Sequence, residues 1–294
     1  MRLEKRLTLT HGNAVYWSAF SPQGDQLATA SLDNTVRLWR LPDGEQVGTL
    51  NGHADGVAFV GYLHDGRIVT ASHDRSLKVC TADGRESAGI LPDHQDYLAC
   101  AAVAKTGSLL ASGSFDRTVR LSNADTGKPF AVLSGHEATV QSVAINASGD
   151  LVASGSDDLT VRLWHAADGS PHKTLSGHSR PVEGVAFSPD DTSLASAGAD
   201  GALKLWTIDG EPIASLETPG VRFKSVVYSP DGRWIATGAA DGAIRIWNNG
   251  TRQLALTLAA HTNTVYGVAF SADGRQFASS GFDRTIHVWS VADD

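Results

Sequence analysis

An aspartate recurs seven times along the 294-residue chain, each copy 41 or 42 residues after the one before it. The seven copies are Asp33, Asp74, Asp116, Asp158, Asp200, Asp241 and Asp283. Similarity at such a fixed period is typical of repeat proteins, in which each unit buries its apolar surface against the next unit. The sequence therefore predicts an array of seven equivalent units.

Three further positions repeat in register with the aspartate. A hydroxyl residue stands four residues before it, as Thr29, Thr70, Ser112, Ser154, Ser196, Thr237 and Ser279. A tryptophan stands six residues after it in five copies, as Trp39, Trp164, Trp206, Trp247 and Trp289, whereas the second and third copies have Cys80 and Ser122. A histidine stands about 22 residues before it in six copies, as His11, His53, His94, His136, His178 and His261, whereas the sixth copy has Pro219.

Each copy also contains four short segments typical of β-strands, except the last, which has three and whose missing fourth is matched by LEKRLTLTH (3–11). In the fifth copy they are VEGVAF (182–187), TSLASAG (192–198), ALKLW (202–206) and PIASL (212–216). Runs of this length, separated by turns that contain Gly, Pro or Asp, predict antiparallel hairpins. Four antiparallel strands in each repeat predict one blade of a β-propeller.

Segments such as LSGHEATVQSVAI (133–145) and SDDLTVRLW (156–164) resemble the WD40 repeat, and the resemblance extends over essentially the whole chain. It implies an all-β fold, a seven-bladed β-propeller with four antiparallel strands per blade, formed by one domain spanning residues 1–294. The implied repeats are approximately 10–51, 52–92, 93–134, 135–176, 177–217, 218–259 and 260–294. The implied closing strand, residues 3–9, completes the last blade and closes the ring.

In propellers of this family, the four repeated side chains form a hydrogen-bonded chain from Asp through His and the hydroxyl to the Trp N–H. The resemblance implies complete chains in the first, fourth, fifth and seventh copies. Their members are His11, Thr29, Asp33 and Trp39; His136, Ser154, Asp158 and Trp164; His178, Ser196, Asp200 and Trp206; and His261, Ser279, Asp283 and Trp289. The second and third copies lack the indole donor, and the sixth lacks the histidine.

The same residues also permit an alternative interpretation as a Ser-His-Asp catalytic triad. A triad occurs once in an enzyme, beside an oxyanion hole, whereas this trio recurs in six copies. We therefore predict that these residues stabilise the blades and that the chain has no catalytic residues.

Composition and charge narrow the functional classes further. The formal charge of −8, with acidic and basic residues interleaved, argues against a nucleic-acid partner. No segment approaches the 18 apolar residues of a membrane span, and no apolar run follows the basic start MRLEKRLTLT. We therefore expect an intracellular, cytoplasmic protein that does not contact a membrane.

The sequence offers no chemistry for a metal, a cofactor or a reaction. Histidines with metal-ligand spacing do not occur, and Cys80 and Cys100 are expected to be buried thiols. The loops between the predicted strands are uniformly short. The inner strands carry small residues where propeller enzymes place carboxylates, His or a cofactor, namely Ala19, Gly61, Ala102, Ala144, Ala186, Val227 and Ala269. We predict neither metal, nor cofactor, nor enzymatic activity.

Partner contacts in this family often come from residues that flank the first-strand Val and from the residue before the Asp. Carried over to this sequence, these positions predict partner-binding residues on the face with the His-containing and Asp-containing turns. They are Tyr16, Leu32, Tyr97, Phe115, Arg222, Lys224, Tyr266 and Phe282, and the same positions also place His73, Gln141, Asp157 and Glu183 on this face. Exposed aromatic residues beside arginine are typical of interface hot spots. The alternative is that the rings pack on neighbouring loops or cover the channel mouth.

These observations predict a non-catalytic scaffold or adaptor that binds a protein or peptide partner on this face, as a subunit of a larger assembly. A reader of short peptide tails at the channel mouth is a second hypothesis. A propeller-type enzyme and a nucleic-acid binder are further, weaker ones. Trp17 stands where other copies have mostly small residues, and it is expected either to plug the channel mouth or to project as an anchor.

Overall fold

The computed structural model describes residues 1–81, 86–90 and 94–292 of the chain. Within these ranges all regular secondary structure is β-strand, and the strands form seven antiparallel sheets of four strands each. The sheets follow one another around a central channel, so each sheet is one blade of a propeller. The all-β, seven-bladed architecture predicted from the repeats is therefore confirmed.

The strands follow the chain in order. After β1 (Arg2–Thr10), the first blade contains β2 (Val15–Phe20), β3 (Gln26–Ser31), β4 (Val36–Arg40) and β5 (Gln46–Leu50). The second contains β6 (Val57–Tyr62), β7 (Ile68–Ser72), β8 (Leu77–Cys80) and β9 (Glu86–Ile90). The third contains β10 (Leu98–Val103), β11 (Leu109–Ser114), β12 (Val119–Asn123) and β13 (Lys128–Leu133).

The remaining blades repeat this pattern. The fourth contains β14 (Val140–Ile145), β15 (Leu151–Ser156), β16 (Thr160–His165) and β17 (Pro171–Ser176). The fifth contains β18 (Val182–Phe187), β19 (Ser193–Gly198), β20 (Ala202–Thr207) and β21 (Pro212–Glu217). The sixth contains β22 (Phe223–Tyr228), β23 (Trp234–Ala239), β24 (Ala243–Asn248) and β25 (Gln253–Ala259). The seventh contains β26 (Val265–Phe270), β27 (Gln276–Gly281), β28 (Thr285–Ala292) and β1.

The ring is closed by the N-terminal strand, as predicted. β1 pairs antiparallel with β28, from Arg2 opposite Ala292 to Thr10 opposite Thr285. Closure removes the exposed strand edge that an open array would leave available for aggregation. The exact repeat borders stay predictions, and the border between residues 92 and 93 and the end at residue 294 lie outside the described residues.

The hydrophobic core lies between the blades. The layer between the fourth and fifth blades shows the pattern, because Leu163 and Leu175 of one blade pack with Val182, Leu194 and Trp206 of the next. Burying one such side chain contributes about 1.5–3 kcal/mol, and each blade is covered on both faces by its neighbours. Neighbouring blades therefore stabilise one another.

Hydrogen bonds join the four repeated side chains of the first blade. His11 Nδ1 lies 3.0 Å from Asp33 Oδ2, and His11 Nε2 lies 2.7 Å from Thr29 Oγ1. Trp39 Nε1 donates to the same Thr29 hydroxyl at 2.8 Å. The carboxylate also accepts the backbone N–H of Gly12 and the hydroxyl of Thr35, at 3.0 and 2.6 Å. The chain of bonds therefore connects a surface turn to a tryptophan in the core.

The fourth, fifth and seventh blades contain the same chain of bonds. The distances from His Nδ1 to the carboxylate are 2.7 Å (His136–Asp158), 3.0 Å (His178–Asp200) and 3.0 Å (His261–Asp283). The distances from His Nε2 to the hydroxyl are 2.8 Å (Ser154), 2.8 Å (Ser196) and 2.9 Å (Ser279). The indole N–H groups of Trp164, Trp206 and Trp289 donate to these hydroxyls at 2.9, 2.9 and 3.3 Å.

The network changes the acidity of its members. Desolvation by burial lowers the pKa of His11 and its counterparts below 6.5, even though the facing carboxylate acts to raise it. Desolvation acts to raise the pKa of Asp33, but the hydrogen bonds from Thr35 and His11 outweigh it and hold that pKa at about 2. A neutral imidazole protonated at Nδ1 suits both contacts, because it donates to the carboxylate and accepts the hydroxyl hydrogen.

The third and sixth blades each lack one side chain of the hydrogen-bonded network, and only the sixth has a replacement. In the third blade, the Ser122 hydroxyl is buried and has no hydrogen-bond partner among the described residues. In the sixth blade, the guanidinium of Arg245 takes the place of the missing histidine and binds Asp241 Oδ2 at 2.6 Å and Oδ1 at 3.2 Å. Trp247 there still donates to Thr237, at 3.2 Å. The alignment of the seven repeats does not show that this arginine substitutes for the histidine.

Asp158→Ala is expected to lower the melting temperature clearly more than Asp116→Ala. Both carboxylates hold a histidine and the neighbouring turn, but only the chain of Asp158 continues to a tryptophan. Orphaning one buried member costs about 1–3 kcal/mol. Thermal unfolding of the two variants beside the parent tests this, and equal losses would contradict a role for the indole end.

The free energy of unfolding is expected to fall in two steps as the pH is lowered. Because the buried histidines have a lowered pKa, the unfolded chain takes up protons below pH 6.5 that the folded chain does not, and stability is lost there. The aspartates with a folded pKa of about 2 add a second loss between pH 3.8 and 2. Denaturant unfolding from pH 8 to 2 measures both steps. A flat profile between pH 8 and 5 would rule out the neutral buried histidines.

Candidate functional site

The seven innermost strands line a central channel with a volume of about 1320 Å³. Its wall carries the small residues expected from the sequence, Ala19, Gly61, Ala102, Ala144, Ala186, Val227 and Ala269. Trp17 also lines the channel, where it packs on Phe59 with ring centroids 6.1 Å apart and approaches Gly267 closely.

The first strand of every blade has an irregular register near its start. In the first blade Val15 pairs with Ser31 and Trp17 with the adjacent Ala30, so Tyr16 is an extra residue in the ladder. The corresponding extra residues in the other blades are Ala58, Ala99, Gln141, Glu183, Lys224 and Tyr266. A β-bulge of this kind bends its strand and redirects one side chain. The bulges therefore decide which residues surround the channel mouth.

Six rings form a continuous row on this face, which we call the aromatic arc. In order they are Phe282, Tyr266, Tyr16, His73, Tyr97 and Phe115, and they extend from the seventh blade through the first and second to the third. The successive centroid distances are 6.0, 4.6, 5.8, 5.5 and 6.0 Å. These separations are typical of edge-to-face and tilted aromatic pairs.

The arc is exposed at its ends and more buried at its centre. Tyr97, Phe115 and Phe282 keep 47%, 42% and 44% of their surface exposed. Tyr16 and Tyr266 are half-buried, and desolvation together with the neighbouring Tyr266 raises the pKa of Tyr16 to about 12. The central pair therefore supports the arc, and the end rings present apolar surface to solvent.

The opposite side of the mouth is polar and charged. Glu183, whose side chain is almost fully buried, pairs with Arg222 at 3.0 Å and with Lys224 at 2.7 Å. Arg222 remains half-exposed, and the Lys224 ammonium also lies 5.8 Å from the centroid of Tyr266. In the fourth blade, the amide of Gln141 donates to both carboxylate oxygens of Asp157, at 3.1 and 3.0 Å.

The eight partner-binding residues predicted from the sequence lie in three different places. Five of them belong to the aromatic arc: Tyr16, Tyr97, Phe115, Tyr266 and Phe282. Arg222 and Lys224 lie in the charged group, held by one glutamate from the neighbouring blade. Leu32 is half-buried and packs closely against Gly56. His73, which the sequence also places on this face but outside the predicted set of eight, joins the two halves of the arc.

The described residues show little reactive chemistry. They contain no group of three or more His, Cys, Asp and Glu side chains able to hold a metal ion. Cys80 is buried, as expected, whereas Cys100 is only partly buried as a residue. Its thiol points to the Val140 carbonyl at 3.8 Å, and desolvation raises its pKa to about 12, which leaves almost no thiolate. Within the same ranges no helix is long and apolar enough to cross a membrane.

The closed ring of seven four-stranded blades defines a seven-bladed β-propeller built from repeats. The family model described as "WD domain, G-beta repeat" matches seven successive segments: 3–40, 44–80, 85–122, 127–165, 169–207, 210–248 and 252–290. The chain therefore belongs to the WD40 repeat family. Propellers of this family generally act as protein-interaction scaffolds.

Curated relatives resemble only parts of this chain. Coronin-7 from Bos taurus is 37% identical over 111 residues, 35% of this chain and 12% of the relative. Nuclear distribution protein PAC1 from Coccidioides posadasii is 33% identical over 93 residues, 31% of this chain and 20% of the relative. Protein tipD from Dictyostelium discoideum is 33% identical over 76 residues, 26% of this chain and 12% of the relative. The match thus spans between 12% and 20% of the length of these relatives.

Tyr97→Ser, Phe115→Ser and Phe282→Ser are each expected to change the free energy of unfolding by less than about 1 kcal/mol, because exposed side chains contribute little to the core. Phe223→Ser, at a fully buried ring, is expected to cost at least about 3–5 kcal/mol, the cost of truncating a buried Phe to Ala. Denaturant unfolding compares them. A loss at Phe115 similar to that at Phe223 would mean that the arc serves internal packing.

Proposed function

We propose that this chain is a non-catalytic scaffold that binds a protein partner on the aromatic arc and the adjoining charged group. One observation carries the proposal: the row of six rings from Phe282 to Phe115, with apolar surface exposed at both ends. Exposed apolar clusters on a protein surface mark contact sites, and aromatic residues with arginine dominate the binding energy of interfaces.

The charged residues on the other side of the channel mouth support the same proposal, because they can fix the orientation of a bound partner. The trio of Glu183, Arg222 and Lys224 carries a net positive charge, whereas Asp157, two blades away from Arg222, carries a negative charge and is bonded by the amide of Gln141. A partner with the complementary arrangement meets one orientation in which all charges are matched. The aromatic arc then contributes affinity, and the charged group fixes register.

The experiment compares three forms of the chain in affinity purification from the cells that produce it. The face variant carries Tyr97→Ser, Phe115→Ser and Phe282→Ser. The rim variant carries Val47→Ser, Phe130→Ser and Leu254→Ser, which remove equally exposed apolar groups from the outer strands β5, β13 and β25. Circular dichroism and melting curves establish that both variants are folded.

We expect quantitative mass spectrometry to show at least a tenfold loss of specific partners with the face variant, since each lost hot spot costs more than 1 kcal/mol and 1.4 kcal/mol is tenfold in affinity. The rim variant is expected to retain them. An unchanged partner list for the face variant, or an equal loss with the rim variant, would refute the proposed face.

A second candidate is a reader of short peptide tails. It is favoured by the channel opening at this face, where Tyr16, His73, Phe115 and Tyr266 line the mouth. A peptide reader binds isolated peptides, and Phe115→Ala abolishes that binding. A peptide library that yields no binder, while folded partners are captured, would leave only the scaffold proposal.

A further inference from the structure

The ring is held closed at one place by strands from opposite ends of the chain. In six blades the outer strand follows the third strand directly after a short turn. In the seventh blade the outer strand is β1, from the start of the chain, and it pairs with β28, near its end. The β1–β28 register is also interrupted between Lys5 and Leu7. This seam is the ring's only non-local strand closure in the described ranges, so groups located there control whether the ring is open.

A titratable residue lies in the middle of the seam. Four residues after the repeated Asp, six copies have a residue that is always charged: Arg37, Lys78, Arg120, Arg162, Lys204 and Arg245. The seventh copy, on β28, has His287 instead. Histidine is the side chain whose ordinary pKa lies closest to neutrality. The copy at the seam is therefore the one whose side chain can change charge near neutral pH when it is open to water.

The surroundings of His287 favour its neutral form. From β1, Thr8 Oγ1 lies 3.1 Å from His287 Nδ1, and Lys5 stands over Trp289 at 5.3 Å from the ring centroid. His261, before β26, stacks on the His287 ring with centroids 4.5 Å apart. Within the described part of the chain Asp283 is the carboxylate that faces His287, and it is already bonded to His261 and Thr285.

The acidic side chain of β1, Glu4, does not stabilise a charged His287. Glu4 pairs with Arg6 at 3.1 Å on the exposed side of the strand. Desolvation by burial lowers the pKa of His287 to about 4; the nearby Lys5 and His261 act in the same direction, and Asp283 acts to raise it. Once β1 leaves, Lys5 and Thr8 leave with it and His287 is open to water, where its pKa returns towards 6.5. Protons therefore bind the open seam more tightly than the closed one.

We propose that the seam is an acid-sensitive latch, in which protonation of His287, beside His261 and Thr8, weakens the pairing of β1 with β28 and raises the fraction of open ring. The proton comes from solvent, and no covalent bond changes. Opening exposes the free edge of β28, which closure otherwise covers. The latch is independent of the proposed partner, because it lies on the outer strands of the seventh blade and not on the aromatic arc.

The linkage gives the size of the effect. A group with a pKa of about 4 in the closed ring and 6.5 in the open one raises the opening equilibrium constant about 30-fold between pH 8 and pH 5. The sign follows from the lowered pKa: closure is most stable above pH 6.5 and is lost as the pH falls.

Hydrogen exchange of the full chain, followed by mass spectrometry at pH 8, 7, 6 and 5, tests the latch. Protection factors corrected for intrinsic exchange are compared between β1 (Arg2–Thr10) and β17 (Pro171–Ser176), an outer strand joined to its blade by a local turn. We expect protection of β1 to fall at least tenfold more than that of β17. A parallel decline of both strands would show global destabilisation and would overturn the latch.

Two variants connect the effect to the seam. His287→Gln removes the titration and is expected to abolish the extra pH dependence of β1, whereas the control His64→Gln, in an exposed loop, leaves it intact. Lys5→Gln keeps His287 but removes a cation that opposes its protonation, so the fold-change across the pH range becomes smaller. The slope of the β1 protection factor against pH is compared between variants, because a loss of packing lowers protection equally at every pH and leaves the slope unchanged. A slope in His287→Gln equal to that of the parent refutes the proposal.

Discussion

In six blades one aspartate carboxylate joins two loops that lie about 22 residues apart in the sequence. It accepts hydrogen bonds from the histidine, from the backbone N–H after that histidine, and from its own turn. These two loops carry the residues around the channel mouth, so their positions depend on this carboxylate. The same histidine continues through a hydroxyl to the core, and in four of these blades that hydroxyl meets a tryptophan. The candidate face therefore rests on a rigid base, although it consists of loops.

Much of this architecture could be predicted from the sequence, because the strands, the turns and the network all recur at the same period. The closure by residues near the start followed from a missing fourth strand in the last repeat. The bulges could not be predicted, since an extra residue in a ladder depends on pairing between two strands and not on the pattern of one. Nor could the pairing of Glu183 with Arg222 and Lys224, because these side chains come from different blades.

The repeated positions stabilise the blades, and the variable positions form the candidate recognition surface. Positions that recur hold the blades. A departure there is answered locally in the sixth blade, where Arg245 replaces a histidine beside Asp241, but not in the third, where the Ser122 hydroxyl has no partner among the described residues. Positions that vary lie beside them on the same turns: Phe115 and Phe282 directly precede a repeated aspartate. A substitution at these variable positions leaves the backbone hydrogen bonds intact. Recognition can thus change from one such chain to another without a change of fold.

The bulge in each first strand has a consequence for engineering. Its extra residue has no partner in the ladder, so its side chain can be exchanged without breaking a strand pair. Seven such positions surround one opening at fixed spacing, and here they already hold residues as different as Ala58, Gln141 and Tyr266. Apart from Ala58 and Glu183, whose side chains are buried, they form a ring of exchangeable positions on a constant frame, on which a library of new binding surfaces can be displayed.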